Sequence, residues 1–548
     1  MMRLINVRDF GGVDADDDAL LAECFQDHDA FRDAWSHRRS IIVGRKGSGK
    51  TAIFKHLTSL QVENVFSAGL TFADYPWEYH DQQKQSGVPG EHGFTESWQF
   101  LVLITLAKIL LNQDQSQPYD ARVGPAFEGL AKFMQQSYGS INPELAGMLS
   151  PAQGLRLEYL QIPGFVKVGL TPQSGDRGRS TITRQLNRQL WEVVLSCLNP
   201  DNRYYICFDE LEYGFVPGDE NYSQRLIGLL LAARRLNVKA RNSGKRLSVV
   251  VFLRDDIYER LRFDDKNKLT ETQVSVIEWD TARTRRTLRG LMELRFQAVL
   301  GNVDASWKSV FDEYEKIDRQ SKYDFMLDRT YRRPRDMIKF CNEVLKCYKL
   351  RKGEDRLSNK DLFNACSGYS TYLYQELVDE VHKKLPRYED YIELLRSLGK
   401  LNFRIEDFDQ ILGRKGRRVA LGQARLEILQ ELFDNSIIGF LKVGGIGAGS
   451  HFVWKYLESG TRFDNLSTRF QVHSGLKEAL GLRIGSRVSK RRVVLSLTLD
   501  EAWVRFVGQR EDKWGTQKEV GQYLVNFALE EGYDLEILDL ETQELTDQ

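Results

Sequence analysis

Net charge is the first thing this chain lacks. Its 77 Lys and Arg residues balance 77 Asp and Glu, so no global field draws it to a polyanion, and any nucleic-acid contact must come from local patches. Disulfide and zinc spacings are missing too. The six cysteines, Cys24, Cys197, Cys207, Cys341, Cys347 and Cys366, include no C-x-x-C pair, so reduced and buried thiols are expected, and with them a cytoplasmic protein. The start carries Asp14, Asp16, Asp17 and Asp18 where a signal region would be basic and then apolar. The longest greasy stretches, Phe100–Leu111 and Leu226–Ala233, are too short to cross a bilayer, so no membrane partner is expected. Histidines are few and scattered, each reading as structural, and no nuclease, protease or NADase constellation occurs. The 42% hydrophobic and 28% charged residues describe a globular chain, and the length suits about three or four domains.

What is present is concentrated in residues 40–56. Ser40–Val43 is a short apolar run of strand type, Thr51 onward reads as helix, and Gly44-Arg45-Lys46-Gly47-Ser48-Gly49-Lys50-Thr51 between them fits G-x-x-x-x-G-K-[ST]. Glycines let backbone N–H groups turn inward around phosphate oxygens, and the following helix adds its positive end. Lys50 can then reach the β- and γ-phosphates, and the Thr51 hydroxyl can hold Mg²⁺. ATP and Mg²⁺ are the expected ligands; the bland alternative is a glycine-rich turn.

Downstream, Arg203-Tyr204-Tyr205-Ile206-Cys207-Phe208-Asp209-Glu210 describes a buried parallel strand with acids at its C-terminal edge, where open α/β sheets bind ligands. Asp209 is the candidate Mg²⁺-binding acid, and Glu210 the candidate to activate the attacking water. A second buried strand, Leu247–Leu253, ends at Arg254-Asp255-Asp256. Arg254 could report a γ-phosphate or could simply pair with Asp255 or Asp256. A GTPase would want Asn-Lys-x-Asp, but Asn267-Lys268-Leu269-Thr270 ends in Thr; a transporter-type ATPase would want a Ser-Gly-Gly loop, which is absent.

The expected fold is α/β: a P-loop NTPase core with a parallel sheet between helices, followed by smaller units. Residues 1–37 read as N-terminal helices, 38–300 as the core with a helical insertion at 113–180, and 301–385 as a helical lid. Residues 386–482 read as a winged-helix-like domain and 483–548 as a small α+β module. Strands are expected at Val65–Phe72, Thr272–Trp279, Ser436–Val443 and His451–Tyr456, with a glycine turn at Gly444–Gly449, and helices at Glu96–Leu111, Ser180–Leu198, Gln224–Leu236, Thr281–Leu300 and Leu421–Phe433.

The loop Gly44–Thr51, together with Asp74-Tyr75-Pro76-Trp77, Phe252-Leu253-Arg254-Asp255-Asp256-Ile257-Tyr258-Glu259 and Arg333-Pro334-Arg335-Asp336, resembles the AAA+ and STAND side of the P-loop ATPases, which includes origin-recognition ATPases. It is closer to a poorly characterised prokaryotic family associated with anti-phage defence. The resemblance implies that Arg254 is a sensor at the end of the fourth strand and that Arg335 is the lid-domain sensor. It implies an ATP-hydrolysing switch that controls a partner, as a homo-oligomer or through a separate effector protein. It assigns no arginine finger; Arg234, Arg235, Arg260 and Arg262 are candidates. The alternative is a DNA-binding ATPase of origin-recognition type, in which the winged unit and the patches Arg414–Arg418 and Arg483–Arg492 hold duplex DNA.

Overall fold

A computed structural model describes residues 3–72, 90–149, 176–213, 218–281, 286–352, 356–382, 384–415, 425–444, 449–458 and 460–484. The chain forms two compact units, Met1–Leu482 and Arg483–Gln548. Outside the described residues lie Asp74-Tyr75-Pro76-Trp77, residues 150–175 of the insertion, Arg283 and Arg285, Arg417 and Arg418, most of the Gly444–Gly449 turn, and residues 485–548.

Five strands, β1 (Ile41–Gly44), β2 (Val65–Thr71), β3 (Arg203–Asp209), β4 (Arg246–Arg254) and β5 (Val274–Val276), form a parallel sheet in the order β2-β3-β4-β1-β5. Their runs of Val, Ile, Tyr and Phe suit a sheet covered on both faces. Alternation sorts the side chains. Ile42, Tyr205, Cys207, Val250 and Phe252 enter one core with Ile53, Phe54 and Leu57 of helix Lys50–Ser59. Ile41, Val43, Ile206, Phe208, Val249 and Val251 enter the other, against helices Gly90–Asn112, Asp176–Cys197 and Glu220–Asn242. The result is a mixed α/β structure with a five-stranded parallel sheet between helical layers, compatible with a Rossmann-like core.

The first core continues without a break into helices Leu288–Leu300, Pro334–Leu350, Asn359–Val381 and Tyr388–Leu398, and from there to Leu482. A second, antiparallel sheet closes this unit. It contains β6 (Asn402–Arg404), β7 (Ile438–Lys442), β8 (His451–Val453) and β9 (Arg469–Val472), in the order β6-β9-β7-β8.

Several expectations shift. The acidic start does not make a helix before Asp29–Trp35; residues 15–17 and 19–24 are turns. Aspartates there bond to the backbone instead of freeing it for a helix: Asp18 Oδ1 accepts from the amides of Gly12 and Leu20. The expected strand Thr272–Trp279 shrinks to β5: helix Lys266–Gln273 takes its first two residues, and Ile277–Trp279 lie beyond the end of β5. Helix Gly90–Asn112 is longer than its greasy stretch suggests. Its Phe94–Asn112 segment is long and apolar enough to cross a membrane, but the strongest 18-residue window is 83% buried inside the fold, which makes it a core helix. All six cysteines are free, and five are buried.

Candidate functional site

The loop between β1 and helix Lys50–Ser59 is set by its glycines. Gly47 and Gly49 have φ of +77° and +105°, a region that L side chains rarely adopt. A Cβ at Gly44 would lie 2.5 Å from Ser48 Oγ. The loop's carbonyls are held by the fold. Lys50 Nζ donates to Gly44 O and Arg45 O at 3.0 Å each, Trp279 Nε1 donates to Ser48 O at 2.9 Å, and Arg333 Nη1 donates to Lys46 O at 2.9 Å. With these carbonyls engaged, what the backbone can offer a ligand is N–H. The Arg45 and Lys46 side chains face the helical part: Arg45 lies over the rings of Tyr331 and Tyr456, and Lys46 pairs with Glu376 at 3.4 Å. Burial pushes the Lys50 ammonium's pKa down, while Glu212, Asp209 and Asp255 oppose it.

Three acids cluster at the end of β3: Asp209 closes the strand, and Glu210 and Glu212 follow it. Asp209 is buried, and its carboxyl is pushed up to about 6, first by burial and then by Glu212, while Lys50 and the Thr51 hydroxyl pull it back. Its Oδ2 has no hydrogen-bond partner. Glu210 sits at φ +59°, a left-handed conformation that costs a non-glycine residue roughly 1–2 kcal/mol. Its carboxyl is raised by burial, then by Asp16, Glu212 and Asp14. Glu212 is the acid that sequence reasoning missed. It is the first counter-charge of Lys50, and its Oε2 is buried without a partner. The signal was Asp209-Glu210-Leu211-Glu212: Leu211 is fully buried, so a turn there returns Glu212 to the sheet edge.

Asp209 yields a stability prediction. Because its folded pKa lies above the ordinary 3.8, the native state binds this proton more tightly than the unfolded chain does. The group's favourable contribution is complete at low pH and is lost as pH rises toward 6; at pH 7 the ionised carboxylate is a cost of roughly 2–3 kcal/mol. Asp209→Asn should therefore raise the melting temperature by a few degrees at pH 7 in metal- and nucleotide-free buffer, and the gain should shrink below pH 5.

A cavity of about 400 Å³ brings the predicted residues together. Lys46–Ile53, Glu210, Glu212, Arg254, Trp279 and Arg335 line it, with Gly12–Asp16 along one side. Asp209 does not line it but lies behind Thr51. Arg254 pairs with Asp256 through two bonds of 3.1 and 3.0 Å while it borders the cavity, so the ion pair left open by the sequence does form. Arg335 packs on the loop, with its Cβ 3.0 Å from where a Gly47 Cβ would stand. Its guanidinium donates to Val13 O at 3.1 Å and to Asp14 and Glu376 at 3.2 Å. Arg333, which the sequence offered only as part of a motif, is fully buried between Asp336 and Glu380 and holds Lys46 O.

Residues 286–378, which supply Arg333 and Arg335, match the FunZ-associated C-terminal helical domain. The chain is also similar to an Escherichia coli (strain K12) protein carrying the name transposon gamma-delta 80.3 kDa protein, with 23% identity over 406 residues, 71% of this chain and 54% of that protein. The chain thus spans about half the length of this distant curated relative.

Proposed function

We propose that this chain is a Mg²⁺-dependent ATPase of the P-loop class, acting as a switch on a partner protein or assembly. One observation carries the reading: Lys50 and Thr51, Glu210, Arg254 and Arg335 come from four separate stretches and border one cavity. The strand order supports it, because β4 lies between β1 and β3 and sets Gly44 level with Arg254. In this reading the loop amides and Lys50 hold the phosphates, Glu210 takes the proton of the attacking water, and Arg254 and Arg335 meet the γ-phosphate. The donor set fits Mg²⁺: Thr51 and Asp209 would hold it, and the unpartnered Asp209 Oδ2 is the kind of buried oxygen a cation satisfies. Bound there, the ion would neutralise charge on the β- and γ-oxygens.

The lid and winged-helix-like identities of residues 301–385 and 386–482 belong to the same proposal. The second sheet and its flanking helices support the latter. Anti-phage defence as the setting rests on the resemblance alone, as do a homo-oligomer and a separate effector.

Lys50→Ala tests the reading. It should weaken binding of a fluorescent ATP analogue at least about 100-fold, since a charge-assisted phosphate contact and its desolvated partner are lost together; a Kd within twofold of the parent would overturn the assignment. A smaller effect follows from Asp14, whose carboxylate holds Arg335 at 3.2 Å and is half-exposed. Asp14→Asn should free Arg335 for phosphate and tighten nucleotide binding by about two- to fivefold in titration, the range of an exposed ion pair.

A further inference from the structure

A second cavity, of about 660 Å³, lies against the other face of the glycine loop. It is bounded by the ends of β1, β4 and β5, by Glu380 and Lys384, and by Lys455–Leu457 beyond β8. Lys50, Thr51 and Glu210 border only the first cavity, so the two spaces differ in chemistry.

Cations outnumber the acids on the wall of the second cavity, Asp255, Asp256, Glu259, Glu278, Glu380 and Asp434, and Lys455 already pairs with Glu259 at 3.8 Å. Asp256 serves both Arg254 and Lys384, and Glu380 serves both Arg333 and Arg45. Lys266 is turned onto the carbonyls of Tyr258 and Leu261, and Arg260 makes no ion pair among the described residues. Burial, then Arg254, lowers the pKa of both Lys384, to about 7, and Arg260. The cations converge from three separate stretches of chain and crowd one another. An anion would relieve that repulsion. The volume suits a ligand of nucleotide size rather than a nucleic-acid duplex.

We propose that this cavity is a second binding site, for a phosphate-bearing ligand of nucleotide size, held by Arg254, Arg260, Lys384 and Lys455. Arg254 borders both cavities, so an anion in the second draws on the same guanidinium that faces the first, and occupancy of the two sites is linked. The site stands independently of whether the first cavity hydrolyses ATP.

The test is equilibrium dialysis of radiolabelled inorganic tripolyphosphate against the full chain. The parent should bind two equivalents. Lys50→Ala should lose the first, and the double substitution Arg260→Gln with Lys455→Gln should weaken the second at least tenfold, while Arg260→Lys with Lys455→Arg keeps it. A single equivalent on the parent, or two unchanged equivalents on the Gln double variant with its melting curve intact, overturns the proposal. Two equivalents on Lys50→Ala but one on the Gln double variant would leave the second site standing and remove the ATPase assignment instead.

Discussion

Replacing Glu210 by Gln should lower ATP turnover about 10²- to 10⁴-fold while leaving the Kd for ATP within twofold. That is the range expected when a general base is removed and shape is kept. The surroundings of Glu210 support the proposed role. Burial, then Asp16, Glu212 and Asp14, raises its pKa, which brings its basicity closer to neutral pH. Its left-handed backbone turns the chain away immediately after β3 ends at Asp209. Glu212 supplies the internal control. Its charge acts first on Lys50 and, after burial, most on Asp209. Glu212→Gln should therefore leave Lys50 less well compensated and alter ATP affinity, with turnover at saturating ATP falling less than about tenfold. Steady-state kinetics with both variants separate the roles; a larger loss of turnover in Glu212→Gln would move the base to Glu212.

The parts of the site legible in the sequence are those fixed by short-range rules. A glycine spacing with a lysine, and apolar runs ending in acids, identify the loop and the edge of β3 with no knowledge of distant contacts. The strands β3 and β4 followed from their buried, β-branched and aromatic runs for the same reason. What failed is what long-range contact decides. The Asp14–Asp18 stretch has acidic helix-start composition, yet Asp18 finds Arg295 in the middle of helix Leu288–Leu300, and a turn wins. Glu212 was passed over because its importance depends on Leu211 being buried and Lys50 lying opposite, neither of which spacing reveals. Strands β6 and β9 are three and four residues long; they exist because they pair with each other and β9 pairs with β7, and too short a run carries no period of its own. The second cavity could not be foreseen, because its cations come from chain segments far apart in sequence.

Arg333 carries the other large expected effect. Its guanidinium is 2% exposed and bonds Asp336 at 2.8 and 2.9 Å, Glu380 at 2.5 Å and the Lys46 carbonyl at 2.9 Å. Burial alone would raise the Glu380 carboxyl, but Arg333, then Arg45, hold it down at about 2. Arg333→Met keeps much of the bulk and strands two buried carboxylates, so it should destabilise the protein by about 3–5 kcal/mol, the cost of removing one partner from a buried ionic cluster. The pH dependence has a definite sign. A depressed carboxylate contributes stability above its ordinary pKa and loses it as pH falls through the folded value. The deficit of Arg333→Met should accordingly be widest near pH 7 and narrow as pH falls below the ordinary 4.5 of Glu380 toward its folded value of about 2. Urea melts across that range measure it, and a deficit under 1 kcal/mol at pH 7 would remove Arg333 from its structural role. Arg335→Met is the contrast. Its partners Asp14 and Glu376 are only partly buried, so the loss of stability should stay below about 1 kcal/mol while ATP binding weakens. Two arginines separated by one proline thus divide the labour: Arg333 fixes the helical part to the loop carbonyl, and that anchorage holds Arg335 over Gly47, where the proposed function puts a phosphate.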